Sequence, residues 1–183
     1  MLKQKIQGFS LVEVMITLSI MAIMIGFSVP ALKNMIESNR LQSAVDDFQF
    51  ALVYSRLNAI SLQMDVAICP KKPAQIACED DVNEQDYAEG WLVFSDCDDD
   101  GVFDNSNVCD RDLDGSNDAS ELLKIYDLNK KNALSITGDV KYKDLITYQL
   151  TGRTTEGAGE FTFSTNLATS KLKVSRIGMI MRE

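Results

Sequence analysis

The sequence contains no histidine among its 183 residues. Histidine is the general base of Ser-His-Asp and Cys-His catalysis and a frequent zinc ligand, so these catalytic arrangements and all His-ligated zinc sites are excluded. The sequence also lacks a nucleophile–base constellation, a phosphate-binding loop and a transition-metal cluster. We therefore do not expect the protein to be an enzyme.

Basic residues are in the minority. The chain has 18 Lys and Arg against 27 Asp and Glu, which gives a formal net charge of −9. Nucleic-acid phosphates bind to basic surfaces, so this balance argues against nucleic acid as a partner. The 45% of hydrophobic residues is ordinary for a folded chain, and the length fits one compact domain with an additional element.

Cysteine is limited to four residues, and their spacing lacks the CxxC pairs of a zinc site. An even number favours disulfides formed in an oxidising compartment, with free buried thiols as the alternative. Four cysteines allow three connectivities. Proximity in the sequence favours Cys69–Cys78 and Cys97–Cys109.

The N-terminal region contains the longest apolar run. Residues 1–8 are short and polar with Lys3 and Lys5, and the next 21 residues, 9–29, are apolar except for Glu13. At 1.5 Å per residue such a helix is about 31 Å long, the thickness of a bilayer's hydrocarbon core. A cleaved secretory signal is disfavoured because the run is too long and no A-x-A-like site follows. The lysines would keep the preceding end in the cytoplasm.

Glu13 is the one charged residue in this run. A carboxylate at the centre of a bilayer costs roughly 2.5–3.5 kcal/mol on insertion scales, and less near an interface. A simple membrane anchor gains nothing from it. Glu13 is therefore a functional candidate.

The segment QGFSLVEVMITLSIMAI (residues 7–23) resembles the type III prepilin signal. The resemblance implies that a prepilin peptidase removes the leader peptide 1–8 by cleavage after Gly8 and that Phe9 is then N-methylated. It also implies that Glu13 pairs with the N-terminal amine of a neighbouring subunit during assembly. The protein would first sit in the bacterial inner membrane as a single-pass protein with a periplasmic domain, and later in a filament.

Beyond this run, the pattern predicts more helix and then strands. Apolar residues recur at three- and four-residue steps over 30–63, which predicts an amphipathic helix on a globular domain, with Pro30 kinking the chain. The expected apolar stripe is Leu32, Ile36, Leu41, Val45, Phe48, Leu52, Ala59 and Ile60.

From residue 64 to residue 183 the period changes to two, which is typical of strands. The runs that read as strands are 66–69, 90–95, 121–128, 144–150, 159–164 and 171–177, with a last strand ending in Arg182. A long helix followed by locally connected strands predicts an α+β fold, in which an antiparallel β-sheet packs across the helix. Trp91 is expected to fill that core.

The order of these elements, including the Gly152-Arg153 turn, resembles the H-type pseudopilin and FimT/FimU minor pilin family. The resemblance implies a structural minor pilin or pseudopilin that initiates or caps a type IV pilus or a type II secretion pseudopilus, with other pilin subunits as partners. The alternative is a DNA-binding minor pilin of an uptake pilus. The FimT branch has a C-terminal Gly-Arg-x-Arg element, whereas residues 178–182 here read GMIMR, so the first arginine is missing.

Acidic residues concentrate in one stretch. Residues 79–121 hold 16 of the 27 acids and one base, Arg111; the Asp-rich part, residues 96–121, is called the acidic loop below. Its second half matches the D-x-D-x-D-G-x5-E spacing that surrounds Ca²⁺ with oxygens. The candidate ligands are Asp110, Asp112, Asp114, Ser116, Asp118 and Glu121.

The first half of the acidic loop begins the same pattern with Asp96, Asp98, Asp100 and Asp104, but its twelfth position is Asn107. Two interpretations remain open for the loop. It could bind Ca²⁺ weakly, with a dissociation constant of about 10⁻⁴–10⁻³ M as in extracellular modules. It could instead be a solvated loop in which Asp and Gly form turns. No cofactor is expected to be required.

Overall fold

The computed structural model describes residues 9–79, 86–105, 108–110, 116, 119–128 and 134–183, with the backbone alone at 27–31 and 108. The chain divides into two compact units, with the boundary between Asn39 and Arg40. Each unit is described by itself.

One helix, α1 (Leu11–Leu62), forms the first element and agrees with the long helix expected from the sequence. Pro30 lies within it. The next residue, Gln63, has a φ of 56°, a left-handed conformation that is common directly after a helix. Within the described part of the chain, no helix has an apolar stretch long enough to cross a membrane.

The predicted apolar stripe on α1 is correct in its middle and wrong at its ends. Buried positions follow the helical period in the second unit, from Leu41 to Ala59. Leu32, Ile36 and Ile60 are exposed instead. Burial of the stripe begins at Leu41 because the side chains that cover it belong to the unit that starts at Arg40.

Ten strands follow in the part of the chain that the structure describes, and every pairing between them is antiparallel. They are β1 (Asp65–Pro70), β2 (Gly90–Asp96), β3 (Val108–Cys109), β4 (Ala119–Ser120), β5 (Leu122–Asp127), β6 (Ser135–Gly138), β7 (Ile146–Tyr148), β8 (Gly159–Ser164), β9 (Thr169–Val174) and β10 (Ile180–Arg182). Each predicted strand run overlaps one of them. The α+β class is confirmed, while β3, β4 and β6 were not predicted.

The strands form two four-stranded sheets, where the sequence had suggested one. The first has the order β5-β2-β1-β7 and the second β10-β9-β8-β6; β3 and β4 pair as a small ribbon. The chain crosses between the two sheets more than once, because β6 of the second sheet precedes β7 of the first. After β7, Gly152 turns the chain with a φ of 73°. Thr154 then bridges to Tyr148 and donates its N–H to the Arg176 carbonyl, next to the second sheet.

The main core gathers around Phe48 of α1. Its ring lies 4.8 Å from that of Trp91 and 4.6 Å from that of Phe161, which belong to different sheets. Edge-to-face aromatic contacts of this kind add to the stabilisation from burial. Trp91 is fully buried, so its predicted role in the core is confirmed.

A second, smaller core covers the other face of the first sheet. Side chains alternate along a strand, and on β2 Trp91 and Val93 face the main core while Leu92 and Phe94 face the second one. The whole of β2 is therefore buried. Phe103, from the acidic loop, packs on Phe94 with ring centroids 5.4 Å apart.

Candidate functional site

The predicted processing and assembly residues lie at the start of α1. Gly8 is outside the described residues, and Phe9 is exposed. The first helical hydrogen bonds run from Glu13 N and Val14 N to the Ser10 carbonyl, at 3.0 and 3.2 Å. The Glu13 side chain is exposed and forms no ion pair with any described residue. Nothing in its own described chain neutralises this carboxylate.

The side chains that follow Glu13 are all exposed up to residue 26. They include Leu11, Met15, Leu18, Ile23 and Ile25. Such a row of apolar side chains is costly in water, so it requires a lipid or protein environment.

The four cysteines form two disulfides, Cys69–Cys78 and Cys97–Cys109, the pairs that are nearest in sequence. Both have Cα atoms 5.6 Å apart, within the usual range. The first ties the end of β1 to the following loop. The second closes the first half of the acidic loop.

The acidic loop is held to the first sheet by its own carboxylates. Asp96 accepts the N–H groups of Asp100 and Gly101 at 3.2 and 2.9 Å. Glu121 is fully buried, and its Oε2 accepts the Asp104 N–H at 2.9 Å. Together with Phe103 and the Cys97–Cys109 bridge, these bonds hold the backbone of residues 96–105 in place.

Three carboxylates of the first half come together: the oxygens of Asp96, Asp98 and Asp100 lie within 4.8 Å of one another. Burial raises the pKa of Asp96, the N–H donors of Gly101 and Asp100 oppose that shift, and the charges of Asp100 and Asp98 add to it. A cation among these oxygens would offset their mutual repulsion.

The second half, to which the sequence pattern assigned the calcium ligands, is described only in part. Asp112, Asp114 and Asp118 lie outside the described residues. Asp110 is half-buried after β3 and Ser116 is exposed. Glu121 contacts the first half through Asp104, a relationship that spacing could not indicate because it crosses 17 positions.

A cluster that the sequence analysis missed joins α1 to the C-terminal part of the chain. Arg56 Nε donates to the Gly152 carbonyl at 3.0 Å. Gly178 lies against the same group, since a Cβ there would come 2.3 Å from Gly152 O and 3.0 Å from Arg56 Nε. The sequence indicated the turn at Gly152, but neither the turn at Gly178 nor the arginine that contacts the first turn.

Arg182, the one arginine of the C-terminal element, already has partners. Its guanidinium contacts Asp46 Oδ1 at 2.9 Å and Gln42 Oε1 at 2.6 Å. These contacts hold the end of β10 against the surface of α1. It leaves the guanidinium less available for a phosphate.

Comparison with known proteins gives two family matches. Residues 3–29 match the prokaryotic N-terminal methylation motif, and residues 44–178 match the type II transport protein GspH. None of the curated proteins matches the chain.

Solved structures with a similar fold include the type IV minor pilin FimU of Pseudomonas aeruginosa (strain PAO1). In space group P21 it is 19% identical, with a TM-score of 0.55 over 80% of this chain and 90% of that chain. In space group P65 it is 18% identical, with a TM-score of 0.52 over 78% of this chain and 91% of that chain. At this level of sequence identity, the similarity shows a shared fold and nothing more.

A methylation motif at the start of a long helix, followed by antiparallel sheets, defines a type IV pilin-like filament subunit. The chain belongs to the GspH family, whose match spans most of it. It is a structural subunit of the minor pilin and pseudopilin class of type IV pili or type II secretion systems. Neither comparison supports the DNA-binding alternative.

Proposed function

We propose that the chain is a processed minor subunit that helps to initiate or cap a type IV pilus or type II secretion pseudopilus. The observation that carries this proposal is the methylation motif over residues 3–29, followed by a helix with an exposed apolar surface. A prepilin peptidase would cleave after Gly8, and Phe9 would become the methylated N-terminus. Other pilin or pseudopilin subunits would then cover the apolar helix.

Before assembly, we propose a single-pass anchor in the bacterial inner membrane with the globular domain in the periplasm. The exposed apolar side chains of residues 9–26 support an apolar environment for this segment. Lys3 and Lys5 favour a cytoplasmic position for the preceding end. The two disulfides are consistent with an oxidising periplasm.

Glu13 would set the register between subunits. An unpaired carboxylate is expensive in hydrocarbon, and so is an unpaired ammonium group. The amine of its own Phe9 lies two residues before the start of α1 in the same chain, while a neighbouring subunit shifted along the filament can bring its own N-terminal amine to the Glu13 carboxylate. Because the pair removes both penalties, it favours the docked position over others.

Mass spectrometry of the native chain, purified from cells with and without prepilin peptidase, tests the proposal. We expect an N-terminal methylated Phe9 in filament fractions, and the intact leader in the peptidase mutant. Gly8→Ala should be processed normally, whereas a bulky residue at position 8 should block cleavage. Assembled filaments that contain the uncleaved chain would contradict the proposal.

Calcium binding by the acidic loop is a second proposal, and the grouping of Asp96, Asp98 and Asp100 favours it. Ca²⁺ prefers carboxylate and carbonyl oxygens, and a loop whose backbone is already fixed loses less entropy on binding. The residues that carry this proposal lie in the first half of the loop, whereas the sequence pattern favoured the second. The ion would stabilise the loop and would take no part in any reaction.

A further inference from the structure

An apolar groove of about 340 Å³ runs between α1 and the last strand, β10, on the surface of the second unit. From α1 it is lined by Val53, Leu57 and Ile60, which are 40%, 61% and 41% exposed. From the other side Met179, 53% exposed, and Ile180 complete it. Aliphatic side chains exposed together in a concave surface are typical of an interaction site.

The wall formed by Met179 is built by a tight turn. Gly178 N donates to the Ser175 carbonyl, and Met179 N donates to Ser175 Oγ at 3.0 Å. Gly178 has a φ of 74°, and its lack of a Cβ lets the turn approach Arg56 closely. The groove is therefore present before any partner binds, which lowers the entropy cost of association.

Among the residues that the structure describes, Arg56 is the only charged one that lines the groove. Its Nε is fixed by the Gly152 carbonyl, while its two terminal nitrogens have no partner among the described residues. The side chain is half-buried. A half-buried guanidinium with free donors is suited to a carboxylate, which it can bind through two hydrogen bonds.

We propose that this groove docks a different pilin or pseudopilin subunit through a segment in which apolar side chains stand beside one carboxylate. The charge of the groove argues for this partner: Arg56 supplies one positive charge, and none of the described residues that line the groove is acidic. A second copy is disfavoured because two acidic chains repel each other; the net charge is −9 before the leader with Lys3 and Lys5 is removed. The inference rests on the proposed function, since a filament supplies the neighbouring subunits.

The experiment uses the full-length chain in its native bacterium. Leu57→Glu and Met179→Glu place a negative charge in the groove at exposed positions. Leu167→Glu is the matched control, because Leu167 is also 53% exposed and lies outside the groove. We expect the groove variants to be recovered with filaments about tenfold less than the wild type, while their cellular amount and the control stay unchanged.

Charge and partner are tested separately. Leu57→Lys should be recovered better than Leu57→Glu, because a lysine attracts the partner's carboxylate. A photo-crosslinking amino acid at position 57 or 179 should form an adduct with another subunit that carries a methylation motif, identified by mass spectrometry. The same amino acid at position 167 should form none.

Equal recovery of Leu57→Glu and wild type would overturn the groove as a docking site while leaving the filament role intact. If Leu57→Lys and Leu57→Glu lose recovery with filaments equally, the proposed carboxylate on the partner is wrong. An adduct with a second copy or with nucleic acid, or no adduct, would overturn the proposed partner. Absence of the wild-type chain from filaments would instead count against the proposed function itself.

Discussion

Arg56 Nε and the Gly152 carbonyl form a hydrogen bond of 3.0 Å across 96 positions of the chain. The bond connects the C-terminal part of α1 to the turn between the two sheets. Gly178, from the turn before β10, lies directly on the same carbonyl. Three separate segments therefore meet at Arg56, and the geometry of the last strand depends on this contact.

The first prediction follows from the close approach of Gly178. An alanine Cβ there would lie 2.3 Å from Gly152 O, in addition to the strain of a positive φ. Gly101 is a matched control, because its φ of 75° is nearly the same and a Cβ there meets nothing within 4 Å. We expect Gly101→Ala to cost roughly 1–2 kcal/mol from backbone strain alone. Gly178→Ala should cost about 1–3 kcal/mol more from overpacking.

Urea unfolding of the two variants measures this difference. The Gly178 variant should also release β10, so hydrogen exchange at Ile180–Arg182 should accelerate. Equal destabilisation by both alanines would mean that the chain relieves the contact without cost.

The same contact illustrates what the sequence could and could not predict. Period and turn residues predicted α1 to within two residues and a strand in each predicted run, because these features depend on local spacing. The turn at Gly152 was predicted, whereas the turn at Gly178 was not. Their close approach to Arg56 could not be predicted, because the atoms that restrict them come from distant segments.

The acidic loop shows the same limit. The sequence pattern placed Glu121 at the twelfth position of a calcium motif, whereas its carboxylate accepts the Asp104 N–H of the other half. The second core beneath the loop was also missed, since β2 reads equally well as a strand buried on one face or on both. Phe103 is what covers its outer face, and it lies nine positions from Phe94.

The second prediction concerns the disulfides, whose cysteines are separated by 9 and 12 positions. In the chain-entropy model a bridge that closes a loop of this size stabilises by about 3 kcal/mol, by restricting the unfolded chain. Replacement of either pair by alanine should lower the free energy of unfolding by about this amount. Urea unfolding with and without reductant checks it, and four reactive thiols in unreduced, denatured protein would refute the pairing.

The third prediction uses the pH dependence of Glu156. Burial raises the pKa of Glu156, the N–H of Thr147 partly opposes the shift, and the charge of Asp65 adds to it. A carboxyl whose folded pKa exceeds its unfolded value of about 4.3 contributes stability below that value and loses it as pH rises. Glu156→Gln keeps an acceptor for the Thr147 N–H without the charge. Its melting temperature should equal the wild type's near pH 4 and exceed it at pH 7.

Glu160 is the control, because its pKa is shifted in the opposite direction. The hydrogen bond from Lys171, 2.7 Å long, lowers the pKa of this half-buried carboxyl. The ionised Glu160 contributes to folding stability above its unfolded pKa, and this contribution is lost as pH falls. Glu160→Gln should therefore be slightly less stable than the wild type at pH 7 and equally stable at low pH. If the melting temperatures of both variants, relative to the wild type, change in the same direction with pH, burial is not what distinguishes Glu156 from Glu160.

The fourth prediction tests calcium binding by the acidic loop. With a dissociation constant of about 10⁻⁴–10⁻³ M, 1 mM Ca²⁺ should stabilise the folded chain by about 0.4–1.4 kcal/mol. Replacement of both Asp98 and Asp100 by Asn should abolish the rise in melting temperature if the first half of the loop holds the ion. Asp110→Asn should abolish it if the second half does. No thermal shift and no heat in calorimetric titration would leave a solvated loop.

The last prediction concerns Glu13, which we expect to act in assembly and to contribute little to the globular unit. The side chain is exposed, and its carboxylate forms no ion pair with any described residue, so its removal takes nothing from the packing of residues 40–183. In the filament the loss is larger, because the neighbour's N-terminal amine would remain unpaired in apolar surroundings. The amount of Glu13→Val in the membrane and its melting temperature should therefore equal those of the wild type.

Recovery of Glu13→Val with filaments, at native expression, should fall by about tenfold or more, which corresponds to 1.4 kcal/mol of docking free energy. Glu13→Asp is the informative companion, since it keeps the charge on a shorter side chain and should recover part of the incorporation. Ser10→Ala controls for a change at the start of the helix. Normal incorporation of the valine variant together with its partner subunits would show that another contact sets the register.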